Sequence, residues 1–210
     1  MKKIILFMAA AFISVAGIAA ESHLTPEQAE ANYTRVINGR ADDIIKLLSL
    51  SDASQIAKVH ADIVAQYRAL NAWHDANDPK LKAVKSDTNA VAQIRSSLQS
   101  LHEEYLAKLS AANLTPGQIE KVKDKMTYGK VQFTYRGYLT QYPNLTTEQK
   151  DKILEMLKEA REQAMDGGSS EEKTAIFQRY KGKINNYLSR QGIHPEKKKA
   201  APRRSDPPAH

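Results

Sequence analysis

The chain has 210 residues, no cysteine, 31 Lys and Arg against 24 Asp and Glu, and a formal net charge of +7. That length holds one ordinary domain with a real core, and charged residues at 26% match a globular average, which excludes disorder throughout. The absent cysteines exclude disulfides, thiol catalysis, cysteinyl zinc sites and a lipid-modified N-terminal cysteine.

Residues 1–20 read MKKIILFMAAAFISVAGIAA: two lysines, an uncharged apolar run, then small residues for cleavage. This is the pattern of a secretory signal peptide, and it predicts a periplasmic or secreted protein. The run falls short of the about 20 apolar residues of a membrane span, and no later stretch reaches that length, so no span is expected once the signal is removed. From Glu196 the chain reads EKKKAAPRRSDPPAH, a basic, proline-rich stretch expected to be a disordered tail. Residues 1–20 hold two of the bases, and the tail holds five bases and two acids. Residues 21–195 therefore carry 24 bases against 22 acids, a net +2. Nucleic-acid binding needs a basic folded surface, so no nucleic-acid partner is expected.

Between the two ends helical periodicity dominates. Thr25, Pro26 and Gln28 form the start of a first helix, Pro26 to Leu48, with Ala29, Tyr33, Val36, Ile37, Ile44, Leu47 and Leu48 on its apolar stripe. Gly39 lies inside it as a site for a kink. A second helix is expected over Ala53–Ala76, carrying Ile56, Val59, Ile63, Tyr67 and Leu70. Asn77-Asp78-Pro79 should stop it, leaving a loop over 79–88. A third follows over Asn89–Ala111, and Leu114-Thr115-Pro116-Gly117-Gln118 opens a fourth. Over Tyr128–Tyr142, Val131, Phe133 and Tyr135 alternate like a strand, while Tyr135, Tyr138, Leu139 and Tyr142 step like a helix. A lone strand has no partner, so a short helix is expected. Leu145-Thr146-Thr147-Glu148-Gln149 opens the next helix, and Gly167-Gly168 ends it. Ser169 and Glu172 form a capping box for the last helix, which Gly192 closes. The fold class is all-α: a single compact domain of six or seven helices over residues 21–195.

LT-x-x-Q occurs three times, at Leu24, Leu114 and Leu145. It is similar to the motif of small periplasmic stress chaperones, and it is equally a hydrophobic staple followed by a capping box. The spacings of the three copies form no regular repeat. His60, Tyr67 and His74 recur every seven residues. That spacing sets the two histidines about 10 Å apart along a helix, too far to chelate one ion, so they read as edge-of-core residues and no metal site is expected. Acids lie near at Asp62 and Asp75, and His102-Glu103-Glu104 lies on the third helix. No nucleotide-binding loop and no nucleophile motif occurs, and no cofactor is expected.

The C-terminal half repeats one idea, tyrosine and a base beside glycine: Tyr128-Gly129, Tyr135-Arg136-Gly137-Tyr138 and Tyr180-Lys181-Gly182, with Asn185-Asn186-Tyr187 a turn later. Glycine lowers helix propensity by about 1 kcal/mol against alanine, so its presence in helices points to close approach of another backbone or a ligand. Tyrosine faces with Lys, Arg and Asn donors suit sugar rings and carboxylates. Core tyrosines with rim hydroxyls are the competing account. The candidate binding residues are Tyr128, Tyr135, Arg136, Tyr138, Arg161, Lys173, Tyr180, Lys181, Asn185 and Asn186, with His74 as a candidate for proton transfer.

The runs KVKDKMTYGKV (121–131), TYRGYL (134–139), PNLTTEQK (143–150), EAREQAMDGGSSEEK (159–173) and RYKGKINNYL (179–188), with YTRVINGRADDII and ALNAWHD upstream, carry a resemblance. The chain resembles a family of secreted Gram-negative bacterial proteins catalogued as a domain of unknown function. The resemblance implies export, an uncharacterised activity and a setting in plant polysaccharide breakdown, pectin included. The tail after Pro195 departs from the family pattern. Three functions are expected in turn: binding of an acidic glycan or a partner protein, an enzyme acting on uronate glycans by β-elimination or hydrolysis, and a holdase chaperone.

Overall fold

The computed structural model describes residues 25–195. The expected signal peptide and basic tail lie outside the described residues. Among these residues there are seven helices and no strand: α1 Pro26–Leu48, α2 Ala53–Ala83, α3 Thr88–Ala111, α4 Pro116–Met126, α5 Lys130–Gln141, α6 Thr147–Met165 and α7 Ser170–Arg190. The protein is all-α. By their contacts the described residues divide into two units, 25–35 and 36–195. Every buried side chain among them belongs to the second.

Helix starts follow the side chains that cap them. Thr25, Thr115 and Thr146 each accept from the backbone N–H three residues on, and Gln28, Gln118 and Gln149 each accept from the N-cap N–H in return. All three LT-x-x-Q motifs are therefore capping boxes, and Leu114 and Leu145 are buried beside theirs. Ser169 accepts from the Glu172 N–H, but the Glu172 carboxylate turns to the Gly168 N–H at 2.9 Å, so only half of the expected box forms.

The expected loop over 79–88 shrinks to residues 84–87, because α2 runs through Pro79 to Ala83. Proline removes one helical donor but does not forbid the turn before it. Here that turn is held from its side chains: Asn77 donates to the Trp73 carbonyl at 2.9 Å, and Asp78 pairs with His74 at 3.0 Å. α1 continues through Gly39. The ambiguous tyrosine stretch is helical from Lys130, as its three- and four-residue steps require.

Two apolar clusters organise residues 36–195. The first joins Ala41, Ile44 and Leu48 of α1 to Val59 and Ile63 of α2, Tyr105 and Leu109 of α3, and Val122 and Met126 of α4. The second joins Val131 and Tyr138 of α5 to Ile153, Leu157, Ala160 and Ala164 of α6 and to Ile176, Phe177, Tyr180, Ile184 and Leu188 of α7. α6 serves both, since Met165 at its end enters the first cluster. No described helix is long and apolar enough to cross a membrane.

Candidate functional site

The ten candidate binding residues do not share one cleft. Arg136, Tyr138, Lys181 and Asn185 line a groove of ≈ 720 Å³ between α5 and α7. Tyr138 fixes its wall: the hydroxyl lies 2.9 Å from Asn185 Oδ1 and 3.2 Å from the Lys181 carbonyl. Burial raises that hydroxyl's pKa to about 12, so it remains a donor. Phe133 stands on the groove at 72% exposure. No Asp or Glu lines it, and neither Arg136 nor Lys181 has an ion-pair partner among the described residues. Gly137 and Gly182 also line it, and a Cβ built on either would meet no heavy atom within 4 Å. Helix packing therefore does not demand glycine at these positions.

The other candidates go elsewhere. Tyr180 is buried; its hydroxyl accepts from Gln163 at 2.7 Å and its ring carries the Lys183 ammonium at 4.1 Å. Tyr135 packs against the second apolar cluster, and Asn186 is exposed outside the groove. Lys173 is buried and donates to the Ala164 and Met165 carbonyls at 2.8 and 3.1 Å, closing the end of α6. Tyr128 lines a different cleft, beside α4.

Arg161 and His74 belong to a polar layer between the two apolar clusters. Arg161, 2% exposed as a residue, reaches Glu120 at 2.8 Å and Asp124 at 2.7 Å on α4, and Glu162 at 3.0 Å, through its guanidinium. Glu162 also meets Lys123 at 2.9 Å and His102 Nε2 at 3.5 Å. The other His102 nitrogen, Nδ1, lies 2.9 Å from Asp166. His74 is buried beneath the α6–α7 turn, donating from Nε2 to the Asp166 carbonyl at 2.7 Å while Nδ1 faces Asp78. A Cβ on Gly168 would come within 2.7 Å of the His74 ring, so this turn needs glycine there. His74, Lys173 and Glu172 thus clamp the turn from three sides and aim the Asp166 carboxylate at His102.

Charge follows from this geometry. Hydrogen bonds to Asp166 first, then Glu162, outweigh burial and push His102 up to about 9. Burial raises Asp166, but with carboxylates at both ring nitrogens the pair sits as imidazolium and carboxylate. Burial works against the charge on Glu162, yet His102, Lys123 and Arg161 together bring it down to about 2. On His74, burial is overcome by the Asp166 carbonyl and by Asp78 and Glu172, so its pKa is raised. Burial pushes Lys173 down to about 8. His102, Glu162 and Asp166 line a cleft of ≈ 540 Å³ between α3, α6 and α7, with Arg95 and Arg179 at its edge. The sequence signal for this centre was Glu162 and Asp166, four apart on one face of α6; nothing in one sequence tells that α3 brings His102 to them. Among the described residues no group of three or more His, Asp or Glu is placed to hold a metal ion.

Compared with known proteins, the chain matches a family model described as "protein of unknown function (DUF3826)" over residues 34–202. A search of curated proteins gives no match.

Proposed function

The chain belongs to the DUF3826 family of proteins of unknown function, and from that premise we propose that it is an exported binding protein for acidic, uronate-bearing polysaccharide, held in the groove between α5 and α7. The observation that carries this reading is two cations without ion-pair partners among the described residues, Arg136 and Lys181, in a groove that no carboxylate lines and where two glycines leave helix backbone bare. Arg136 offers a fork that matches a carboxylate, and Lys181 a point charge. The Phe133 face suits stacking on the apolar face of a sugar ring, and the amides of Gln141, Gln178 and Asn185 suit its hydroxyls. Calorimetric titration with oligogalacturonate and with a neutral oligosaccharide of equal length tests it. The acidic ligand binds, and the double variant Arg136→Ala/Lys181→Ala weakens it by at least roughly tenfold, about 1.4 kcal/mol. Binding that the double variant leaves intact, or none to the acidic ligand, refutes the groove.

A second reading, an enzyme acting on the same glycans, is favoured by the His102–Asp166 pair on its cleft. A protonated imidazole beside arginines suits donation of a proton to a leaving oxygen. His74, the proton-transfer candidate from sequence, lines none of the clefts described and instead supports Asp166. An ultraviolet-absorbing unsaturated product from uronate oligosaccharide, lost in His102→Gln, would establish β-elimination. The LT-x-x-Q motifs, the ground for a holdase reading, are accounted for as helix caps.

A further inference from the structure

A cleft separate from both sites above lies between the 36–48 part of α1, α2, α4 and the α4–α5 turn, with a volume of ≈ 780 Å³. We infer that this cleft binds a small ligand with a flat apolar body and an anionic group, and that Tyr128 is the residue that holds it.

The backbone gives the first reason. α4 ends in a Schellman turn: the Tyr128 N–H donates to the Lys125 carbonyl at 3.1 Å, and the Gly129 N–H to the Asp124 carbonyl at 2.7 Å. The first residue beyond the cap takes a left-handed conformation, a position that glycine usually fills. Here it is Tyr128, at φ +60°, and glycine comes one residue later. Among the described residues the other two left-handed non-glycine residues are Ser49 and Asn113, both small and polar. A bulky residue there is a real outlier and the backbone is strained. Core packing does not offset that strain, because Tyr128 is 50% exposed. The strained residue lines the cleft.

The lining fits the ligand class. Leu47, itself 45% exposed, and Tyr67 continue the apolar wall. Arg40 lies 5.6 Å over the Tyr67 ring and has no carboxylate partner among the described residues. Lys121 and Lys125 of α4 also line the cleft, Lys121 donating to the Leu47 carbonyl of α1 at 3.2 Å. Two carboxylates are present, but both are occupied: Asp124 by Arg161 at 2.7 Å, and Asp43 by Lys46 and Lys125 at 3.3 and 3.6 Å. A mainly apolar concavity of this size with a few converging polar groups is the usual form of a small-molecule site, and its surplus charge is positive.

The test uses anilinonaphthalene sulfonate as an anionic aromatic probe and N-phenylnaphthylamine as its neutral counterpart, followed by fluorescence on the folded protein. The expected result is saturable binding of the sulfonate at one site. Tyr128→Gly weakens it by about tenfold or more while the Tm stays level or rises, because glycine relieves the backbone. Arg40→Ala weakens the sulfonate more than the neutral probe. Arg136→Ala, in the α5–α7 groove, changes neither, so this inference and the glycan reading fail separately. A lower Tm in Tyr128→Gly would show that the ring is structural. Unchanged probe affinity in that variant, or no saturable binding at all, overturns the site.

Discussion

His102 shows how a side chain's neighbours set its chemistry. An imidazole ordinarily titrates at 6.5; between Asp166 and Glu162 this one titrates at about 9. Because the folded value is the higher, the stabilisation is complete below pH 6.5 and disappears as pH rises through about 9. Lys173 runs the other way. Its folded value of about 8 lies below the ordinary 10.5, so its buried charge opposes folding at neutral pH and that opposition fades between those values. The wild-type melting curve mixes the two, and comparison with His102→Gln separates them. The Tm gap between wild type and His102→Gln is expected to be widest near pH 6 and to shrink towards pH 9; a gap constant across that range would mean that His102 is not held as a cation. Tyr128 carries the opposite lesson at this scale, a residue whose backbone is strained while its side chain remains half in water.

At the scale of elements, the helix starts were legible because they are local. A Thr and a Gln three apart need only each other and the backbone between them, so each LT-x-x-Q foretold a start that the structure shows. Thr115→Ala and Thr146→Ala should each lower stability by about 1 kcal/mol, measured by urea denaturation. A loss below the error of the extrapolation would mean that packing, not the cap, holds those ends. The end of α2 was not legible in the same way. Pro79 reads as a stop, but the Asn77 and Asp78 side chains hold the turn before it, and Asp78 is engaged by His74, which itself answers to Asp166 on a distant part of the chain. A local stop signal lost to a tertiary contact.

Over residues 36–195, the two apolar clusters meet at a layer of charge, with Arg161 at its centre. Removing that side chain would leave Glu120, Asp124 and Glu162 short of a partner. A broken buried pair costs roughly 3–5 kcal/mol, and because these carboxylates keep about a third or more of their exposure, we expect Arg161→Ala to lose roughly 2–3 kcal/mol. It should also loosen the link between the clusters. The sole tryptophan, Trp73, sits on α2. Its fluorescence and the far-ultraviolet circular dichroism should coincide on denaturation of the wild type and separate in Arg161→Ala. Coincident curves in the variant would show that apolar packing alone couples the halves.

One chain read alone was enough for the all-α class, the number of helices within one, and the capped starts at Thr25, Thr115 and Thr146. These rest on periodicity and on contacts a few residues apart, which a sequence displays. Which candidates meet was settled by packing. Tyr180, Arg161 and Lys173 carry the same side chains as groove residues, yet their helix faces turn inward, and burial converts them into core, ion-layer and cap. His102 and Asp166 lie 64 positions apart. The physical reason is that helix period fixes which residues share a face, while the packing of α3 against α6 fixes which faces touch, and no pattern within either helix records the other.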